Sequence, residues 1–167
     1  MKTLYVKQKL FSLGEKFTVM DESEQPCYFV EGSFMKFQKS FVITNTSGYE
    51  IAEIKKKVFS FLPKFYVNNS HGQEIAMIEK EFSFFKARYN IYAAGLEVEG
   101  NWWDMDFSVS RGGQTIASIK KEWFKIADTY TISIFEEQYE ELIIALVIAI
   151  DCVKADERSS KSASSST

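Results

Sequence analysis

The stretch "GQEIAMIEK", Gly72–Lys80, decides the fold because the chain contains it in two further versions. These are "GYEIAEIKK" at Gly48–Lys56 and "GQTIASIKK" at Gly113–Lys121. Asn, Ser and Gly cluster just before or at each first glycine, and apolar and polar residues alternate after it, which is typical of a strand, a tight turn and a second strand. The copies are unequally spaced. This indicates duplicated hairpins within one sheet rather than a solenoid of equal coils.

Turn signals divide the rest of the chain in the same way, into about a dozen strands. We expect strands near Leu4, Phe17, Tyr28, Val42, Ile54, Tyr66, Ile78, Tyr89, Val98, Phe107, Ile119 and Ile132. The pattern changes only after Phe135, where "EEQYEELIIALVIAIDCVKA" predicts a helix of about residues 137–155. Acidic residues at its start and Lys154 at its end suit the helix dipole.

This helix is apolar on every side from Leu142 to Ile150, so it must be surrounded by protein or by lipid. The apolar run ends at Asp151, short of the roughly 20 residues of a bilayer span, which favours protein. About eleven or twelve strands can enclose a helix, whereas eight are filled by their own side chains. The sequence therefore predicts a mainly β domain over residues 1–155, a closed antiparallel barrel of about 12 strands around a hydrophobic C-terminal helix. A disordered Ser-rich tail is expected over residues 156–167.

Composition limits the function. The 167 residues are 46% hydrophobic and 16% aromatic, as expected of one globular domain. The net charge of −3 gives no overall attraction to nucleic acid, so we expect none to bind. Lysines interrupt the apolar residues of the amino terminus, so we expect no signal peptide and a cytoplasmic protein. Cys27 and Cys152 could form one disulfide, but in a reducing compartment two buried thiols are favoured.

Catalytic patterns are missing from the sequence. The single histidine, His71, lies in the turn "NNSHG", where a solvated turn residue is the favoured interpretation. The acidic cluster at the helix start could bind a hard cation, but it lacks the spacing of a calcium loop, and the helix dipole explains it better. The cluster consists of Glu136, Glu137, Glu140 and Glu141. We therefore expect no enzyme activity, no cofactor and no metal.

The stretch "NWWD", residues 101–104, places two tryptophans side by side. On a strand, Trp102 and Trp103 would point to opposite faces, one into the core and one outward. Core packing is the favoured role, and a surface that stacks on a ring or a lipid chain is the alternative. Asp104 and Asp106 are expected on the outer face.

Lysine occupies the same place in all three repeats, eight residues after the glycine, at Lys56, Lys80 and Lys121. Alanine and isoleucine at positions four and six mark even positions as the inward face, as do the bulky residues at position ten: Val58, Phe82 and Trp123. A charge there is costly unless it is paired or reaches water. The favoured explanations are a β-bulge that resets the alternation or a rim position from which the ammonium reaches solvent. The functional alternative is a basic cluster that binds an anionic headgroup, reinforced by Lys55, Lys57 and Lys120.

Four stretches also carry a family resemblance: "EGNWWDMDFSV", "IASIKKEW", "DTYTISI" and "LVIAIDCV". They resemble the bacterial, YxjI-like branch of the LURP-one-related family, in the tubby C-terminal-like superfamily and related to the phospholipid scramblases. The resemblance covers about residues 1–154. It implies a twelve-stranded barrel around a hydrophobic helix, and it links relatives to phosphoinositide binding, lipid scrambling and plant defence, with a membrane-inserted helix among the suggestions.

Two functions follow as expectations. The first is a non-catalytic binding or scaffold barrel that engages an anionic phospholipid or a protein partner, in the cytoplasm or peripherally at the membrane. The alternative is a scramblase-like protein whose C-terminal helix inserts into lipid.

Overall fold

A computed structural model describes residues 1–8, 16–33, 40–57, 59–82, 88–122 and 129–164. Two of the residues predicted to face inward, Val58 and Trp123, lie outside these ranges. For the third, Phe82, the prediction is wrong: β7 ends at Glu81, so the strand alternation does not reach Phe82, which is exposed. The described strands are β1 Lys2–Gln8, β2 Lys16–Met20, β3 Pro26–Ser33, β4 Ser40–Asn45, β5 Glu50–Lys56, β6 Lys64–Asn69, β7 Glu74–Glu81, β8 Arg88–Ala93, β9 Glu97–Asn101, β10 Asp106–Arg111, β11 Gln114–Glu122 and β12 Thr129–Ile134. The helix α1 is Glu140–Ser164, and 3₁₀ turns occupy Trp102–Asp104 and Glu137–Tyr139. Each predicted strand position falls within one of these strands.

The strands form one twelve-stranded antiparallel sheet that curls into a nearly closed barrel. Sequence neighbours pair from β1 to β8, β1 pairs with β12, and the order then returns through β11 and β10 to β9. The predicted fold class is therefore confirmed. The order leaves β8 and β9 as the two edges of the sheet, and we call the opening between them the seam.

The barrel has two unlike ends. The turn end holds the connections β2–β3, β4–β5, β6–β7, β8–β9 and β10–β11, together with the start of α1. The loop end holds the opposite ends of the strands, the described connections β5–β6 and β9–β10, and the last part of α1. At the turn end, Asn45 and Asn69 each accept two backbone N–H bonds of 3.0 Å within their own turns. Gly48 and Gly72 supply the positive φ that these turns require, at 81° and 74°. His71 is an exposed turn residue, as predicted.

Helix α1 fills the barrel. Every residue from Ile143 to Ile150 is buried, including Leu146 at 1% and Ile148 at 0% exposure, although these two lie about 200° apart around the helix. The prediction of an enclosed helix is confirmed. In the described part of the chain, no helix combines the length and the apolar character needed to cross a membrane.

Two predictions about local structure are wrong. The helix continues to Ser164 rather than ending near 155, so residues 156–164 are helical and not a disordered tail. The reason is that Asp156 and Glu157 are buried inside the barrel mouth, where strand lysines bind them. Trp102 and Trp103 form a 3₁₀ turn instead of a strand, so they do not alternate between faces, and both are half-buried.

Candidate functional site

The repeated lysines of β5 and β7 point inward and bind carboxylates of α1. Lys56 donates to both oxygens of Asp156 at 2.9 and 2.7 Å, and Lys80 donates to Glu157 at 2.8 Å. In β5 the buried residues Ala52 and Ile54 precede Lys56 on the same face, so the alternation is not reset there and the bulge explanation is wrong for this copy. The ammonium groups turn to the helix, where each finds the partner that an inward charge needs.

Glu157 has a second donor, because the Tyr89 hydroxyl donates to it at 2.6 Å. Burial opposes ionisation of Glu157, but the hydrogen bonds from Lys80 and Tyr89 outweigh burial and hold its pKa below the usual glutamate value. The Lys80 ammonium also lies 5.8 Å from the centre of the Tyr89 ring. This group ties β7 and β8 to the last part of α1.

The third repeated lysine, Lys121, lies beside a cavity of about 10 Å³ at the same end of α1. The cavity is also lined by Tyr130, Asp151, Lys154 and Arg158, and its volume matches about one water molecule. Among the described residues, the buried Tyr130 hydroxyl has no hydrogen-bond partner. Burial lowers the pKa of Lys154. The three repeat lysines thus converge on one stretch of the helix.

The other predicted lysines face outward at the loop end. Lys55 forms an ion pair of 2.7 Å with Glu53 on its own strand. Lys57 and Lys120 are exposed. The structure therefore separates the six predicted residues into an inward set that holds α1 or lines the small cavity and an outward set that faces solvent.

Exposed phenylalanines at the loop end are a feature that the sequence interpretation missed. Phe59 and Phe61, between β5 and β6, are 94% and 92% exposed, and Phe82, directly after β7, is 64% exposed. Among the described large apolar side chains, Phe59 and Phe61 are the most exposed. The signal was present in "KKKVFSFLPK", where aromatic residues continue past the end of a strand into a connection.

Charge is unevenly distributed between the two ends. The described carboxylates at the turn end are Asp21, Glu22, Glu24, Glu50, Glu74, Glu97, Glu136, Glu137, Glu140 and Glu141. The described cationic side chains at that end are Lys2 and Arg111. The loop end carries many more of the described cations than the turn end does: Lys55, Lys56, Lys57, Lys64, Lys80, Arg88, Lys120, Lys121, Lys154, Arg158 and Lys161. Carboxylates such as Glu79, Glu122 and Asp156 lie among them. The net negative charge therefore resides mostly at the turn end.

Three aromatic rings span the seam at the loop end. Tyr89 of β8 stacks on Trp103 with 5.8 Å between ring centres and meets Trp102 edge-on at 6.1 Å. Both tryptophans pack against the core. The structural role predicted for them is present, although as a bridge between sheet edges. The exposed Asp104 and Asp106 conform to the prediction.

The remaining candidate residues are the acidic residues at the start of α1 and the two cysteines. Glu140, in the first turn of α1, accepts bonds of 2.7 Å from Lys2 and from the Tyr28 hydroxyl. Within the described ranges, no group of three His, Cys, Asp or Glu side chains could hold a metal ion. Cys152 is buried and Cys27 partly buried, and the two do not form a disulfide with each other.

Comparisons with known proteins agree with this architecture. Residues 2–151 match the sequence profile of the family described as LURP-one-related. The chain is 29% identical over 153 residues to the uncharacterised protein YxjI of Bacillus subtilis. The aligned region covers 92% of this chain and 94% of YxjI. An X-ray structure of a protein from Arabidopsis thaliana has a similar fold, with a TM-score of 0.59 at 10% identity, over 90% of this chain and 91% of that one.

Proposed function

The chain belongs to the LURP-one-related family, and we propose that it acts as a non-catalytic barrel that binds peripherally to anionic membranes through its loop end. One observation carries this proposal: Phe59 and Phe61 are almost fully exposed at the end of the barrel where the lysines are collected. Exposed aromatic side chains next to lysines suit the boundary between lipid headgroups and acyl chains.

The energetics favour this orientation. Burying one phenylalanine side chain is worth about 1.5–3 kcal/mol, and a lysine near an anionic surface adds about 1 kcal/mol. Lys57 lies two residues before Phe59, and Lys120 is exposed at the same end. The acidic turn end would face away from the membrane.

The inward lysines have a different role in this proposal. Lys56 and Lys80 neutralise Asp156 and Glu157, so they hold α1 rather than a headgroup. Lys57 and Lys120 are the headgroup contacts, and Lys55 can join them if it leaves Glu53. Helix insertion into lipid, the alternative, is disfavoured because Ile143–Ile150 are enclosed by the strands.

Vesicle co-sedimentation tests the proposal. Vesicles of phosphatidylcholine alone are compared with vesicles that also contain phosphatidylserine, at low and high salt. We expect the parent protein to sediment with the anionic vesicles and to be released as salt rises. The double variant Phe59→Ser, Phe61→Ser should bind at least roughly tenfold more weakly, given the apolar area lost. The double variant Lys57→Ala, Lys120→Ala should bind anionic vesicles more weakly than the parent does, and its binding to vesicles of phosphatidylcholine should not change.

Tyr49→Ser is the matched control, because Tyr49 is 72% exposed but lies at the turn end. It should bind like the parent. Failure of the parent to sediment with anionic vesicles, or equal losses in the Tyr49 and Phe59/Phe61 variants, would reject the proposal.

A further inference from the structure

We propose that the seam between β8 and β9 is a docking site for an extended segment of a partner protein, which adds as a strand and carries alternating apolar and basic side chains. This proposal does not depend on membrane binding. It starts from the two edges that the sheet leaves without a neighbour.

The two edge strands follow each other in the chain without forming a hairpin. The Leu96 N–H donates to the Ala93 carbonyl at 3.0 Å, so the strands are joined by a tight turn. Beyond it they diverge, and their Cα atoms are almost everywhere more than 8 Å apart. Paired strands lie about 4.8 Å apart, so a strand between two others needs about 9.6 Å. The seam is therefore too wide for direct pairing of β8 with β9, and both strand edges remain available to an added strand.

Two clefts border the seam, and one of them lies between the two edge strands. A cleft of about 470 Å³ near the turn is lined by residues 74–76 of β7, by residues 91–94 and by Leu96, so it borders the β8 side of the seam. A second cleft of about 340 Å³ follows along Arg88–Asn90, near Trp102 and Trp103. The turn closes the seam at one end, and the ring contacts of Tyr89 limit it at the other.

Free strand edges normally attract another strand through their unpaired N–H and C=O groups, and proteins usually cover or blunt them. Strand addition to such an edge is a common mode of peptide recognition, in which the backbone supplies affinity and alternate side chains supply specificity. In the described part of the chain, no strand lies between β8 and β9.

Side chains along the seam define the segment that fits. The inward-facing residues are apolar and only partly buried: Ile91, Ala93, Leu96 and Val98. An incoming strand that placed apolar side chains beside them would complete the core. On the outer face, Glu97 and Glu99 are exposed and lie opposite Ser110 and Ser108 of β10. These serines carry no charge, so the two carboxylates can interact with basic side chains of the added strand.

The test uses labelled synthetic peptides of about eight residues, a typical strand length, in which valine alternates with lysine, glutamine or glutamate. Binding is measured by fluorescence anisotropy, and protection of residues 88–101 by amide hydrogen exchange. We expect the valine–lysine peptide to bind most tightly and to slow exchange within β8 and β9. Failure of all three peptides to bind, or binding without new protection there, would overturn the proposal.

Charge reversal supplies the specificity control. Glu97→Lys, Glu99→Lys should weaken binding of the valine–lysine peptide at least tenfold and strengthen binding of the valine–glutamate peptide. Glu50→Lys reverses an exposed charge of β5 at the same end of the barrel and should bind both peptides like the parent. If the two charge-reversed proteins behave alike, the peptide responds to overall charge and the seam is not its site.

Discussion

The two ends of α1 are held by the same chemical group in different surroundings. At the turn end, Glu140 accepts hydrogen bonds from Lys2 and Tyr28, and its side chain is 13% exposed. It also lies in the first turn of the helix, where the dipole favours a negative charge. We call Glu140 with Lys2 and Tyr28 the turn-end clamp. The helix dipole stabilises its carboxylate in addition to the two hydrogen-bond donors.

At the loop end, Glu157 accepts from Lys80 and Tyr89, and its side chain is 7% exposed. It lies well inside the helix and nearer its C-terminus, so the dipole gives it no help. Asp156, its neighbour, is bound by Lys56. The comparison shows that one motif is reinforced by the helix dipole at one end, whereas at the other it depends mainly on its strand partners, with the exposed Lys161 of the same helix 3.7 Å away. We call Glu157 with Lys80 and Tyr89 the loop-end clamp. We expect the protein to lose more stability when the carboxylate of this clamp is removed than when that of the turn-end clamp is.

The largest loss of stability should come from a substitution in the middle of α1, because the clamps at its two ends cannot offset a buried charge there. Ile148→Asp places an unpaired carboxylate at a site with 0% exposure, which costs several kcal/mol against a total stability of roughly 5–15 kcal/mol. We expect loss of the thermal transition and of amide dispersion in the NMR spectrum. Glu141→Ala, at an exposed helix position, is the control. A parent-like melting curve for Ile148→Asp would mean that α1 has an open side.

The comparison of the clamps is tested directly by Glu157→Gln and Glu140→Gln. Glu157→Gln should lower the free energy of unfolding by about 1–3 kcal/mol, because it leaves a partly buried ammonium without its carboxylate, and Glu140→Gln should lower it less. Denaturant titration measures both. Adding Lys80→Met should cost less in Glu157→Gln than in the parent. Equal effects at the two ends would mean that the helix dipole gives Glu140 no measurable support.

The stabilisation that the loop-end clamp provides should decrease as pH falls. The folded pKa of Glu157 is lower than its unfolded value, near 4.5, so the unfolded state takes up a proton first as pH falls. The stabilisation is complete above the unfolded pKa and is lost as pH falls through the folded pKa. The difference in unfolding free energy between the parent and Glu157→Gln should therefore shrink from pH 7 to about pH 3. A difference independent of pH would assign the effect to packing.

The smallest effect is expected beyond the clamp. Ser159 and Ser160 are exposed, and each hydroxyl donates to the Asp156 carbonyl of the same helix. Lys161 reaches Glu157 at 3.7 Å but is itself 67% exposed, so its ion pair adds little. Deletion from Ser159 onward should leave the melting temperature nearly unchanged, whereas deletion from Asp156 onward should lower it clearly. Differential scanning fluorimetry of both truncations decides where the stabilising part of α1 ends.

The strands and the enclosed helix could be predicted because their signals are local. Alternation, turn residues and an apolar run on all faces of a helix depend on neighbours in sequence. The inward parity of Lys56 and Lys80 was also visible, with its requirement for a partner. The partners were not, because Asp156 and Glu157 are 100 and 77 positions away in sequence.

Other features depended on tertiary structure. Trp102 and Trp103 follow a strand directly, but Asn101 caps a 3₁₀ turn by accepting from the Asp104 N–H, which ends the alternation. The seam had no sequence signal, since β8 and β9 flank an ordinary turn. The end of α1 was misplaced because serines and charges after Lys154 indicate solvent, while two of those charges are held by strand lysines.

The place of α1 in the sequence has a consequence for synthesis. All twelve strands precede the helix that fills their barrel, so a growing chain contains the wall of the barrel before its interior exists. Strand residues such as Leu4 and Val6, which are fully buried in the finished protein, then have no helix to contact. Exposed apolar surface on nascent chains promotes aggregation. Chaperones should therefore bind fragments that stop before Ile143 and release the chain once α1 has been made.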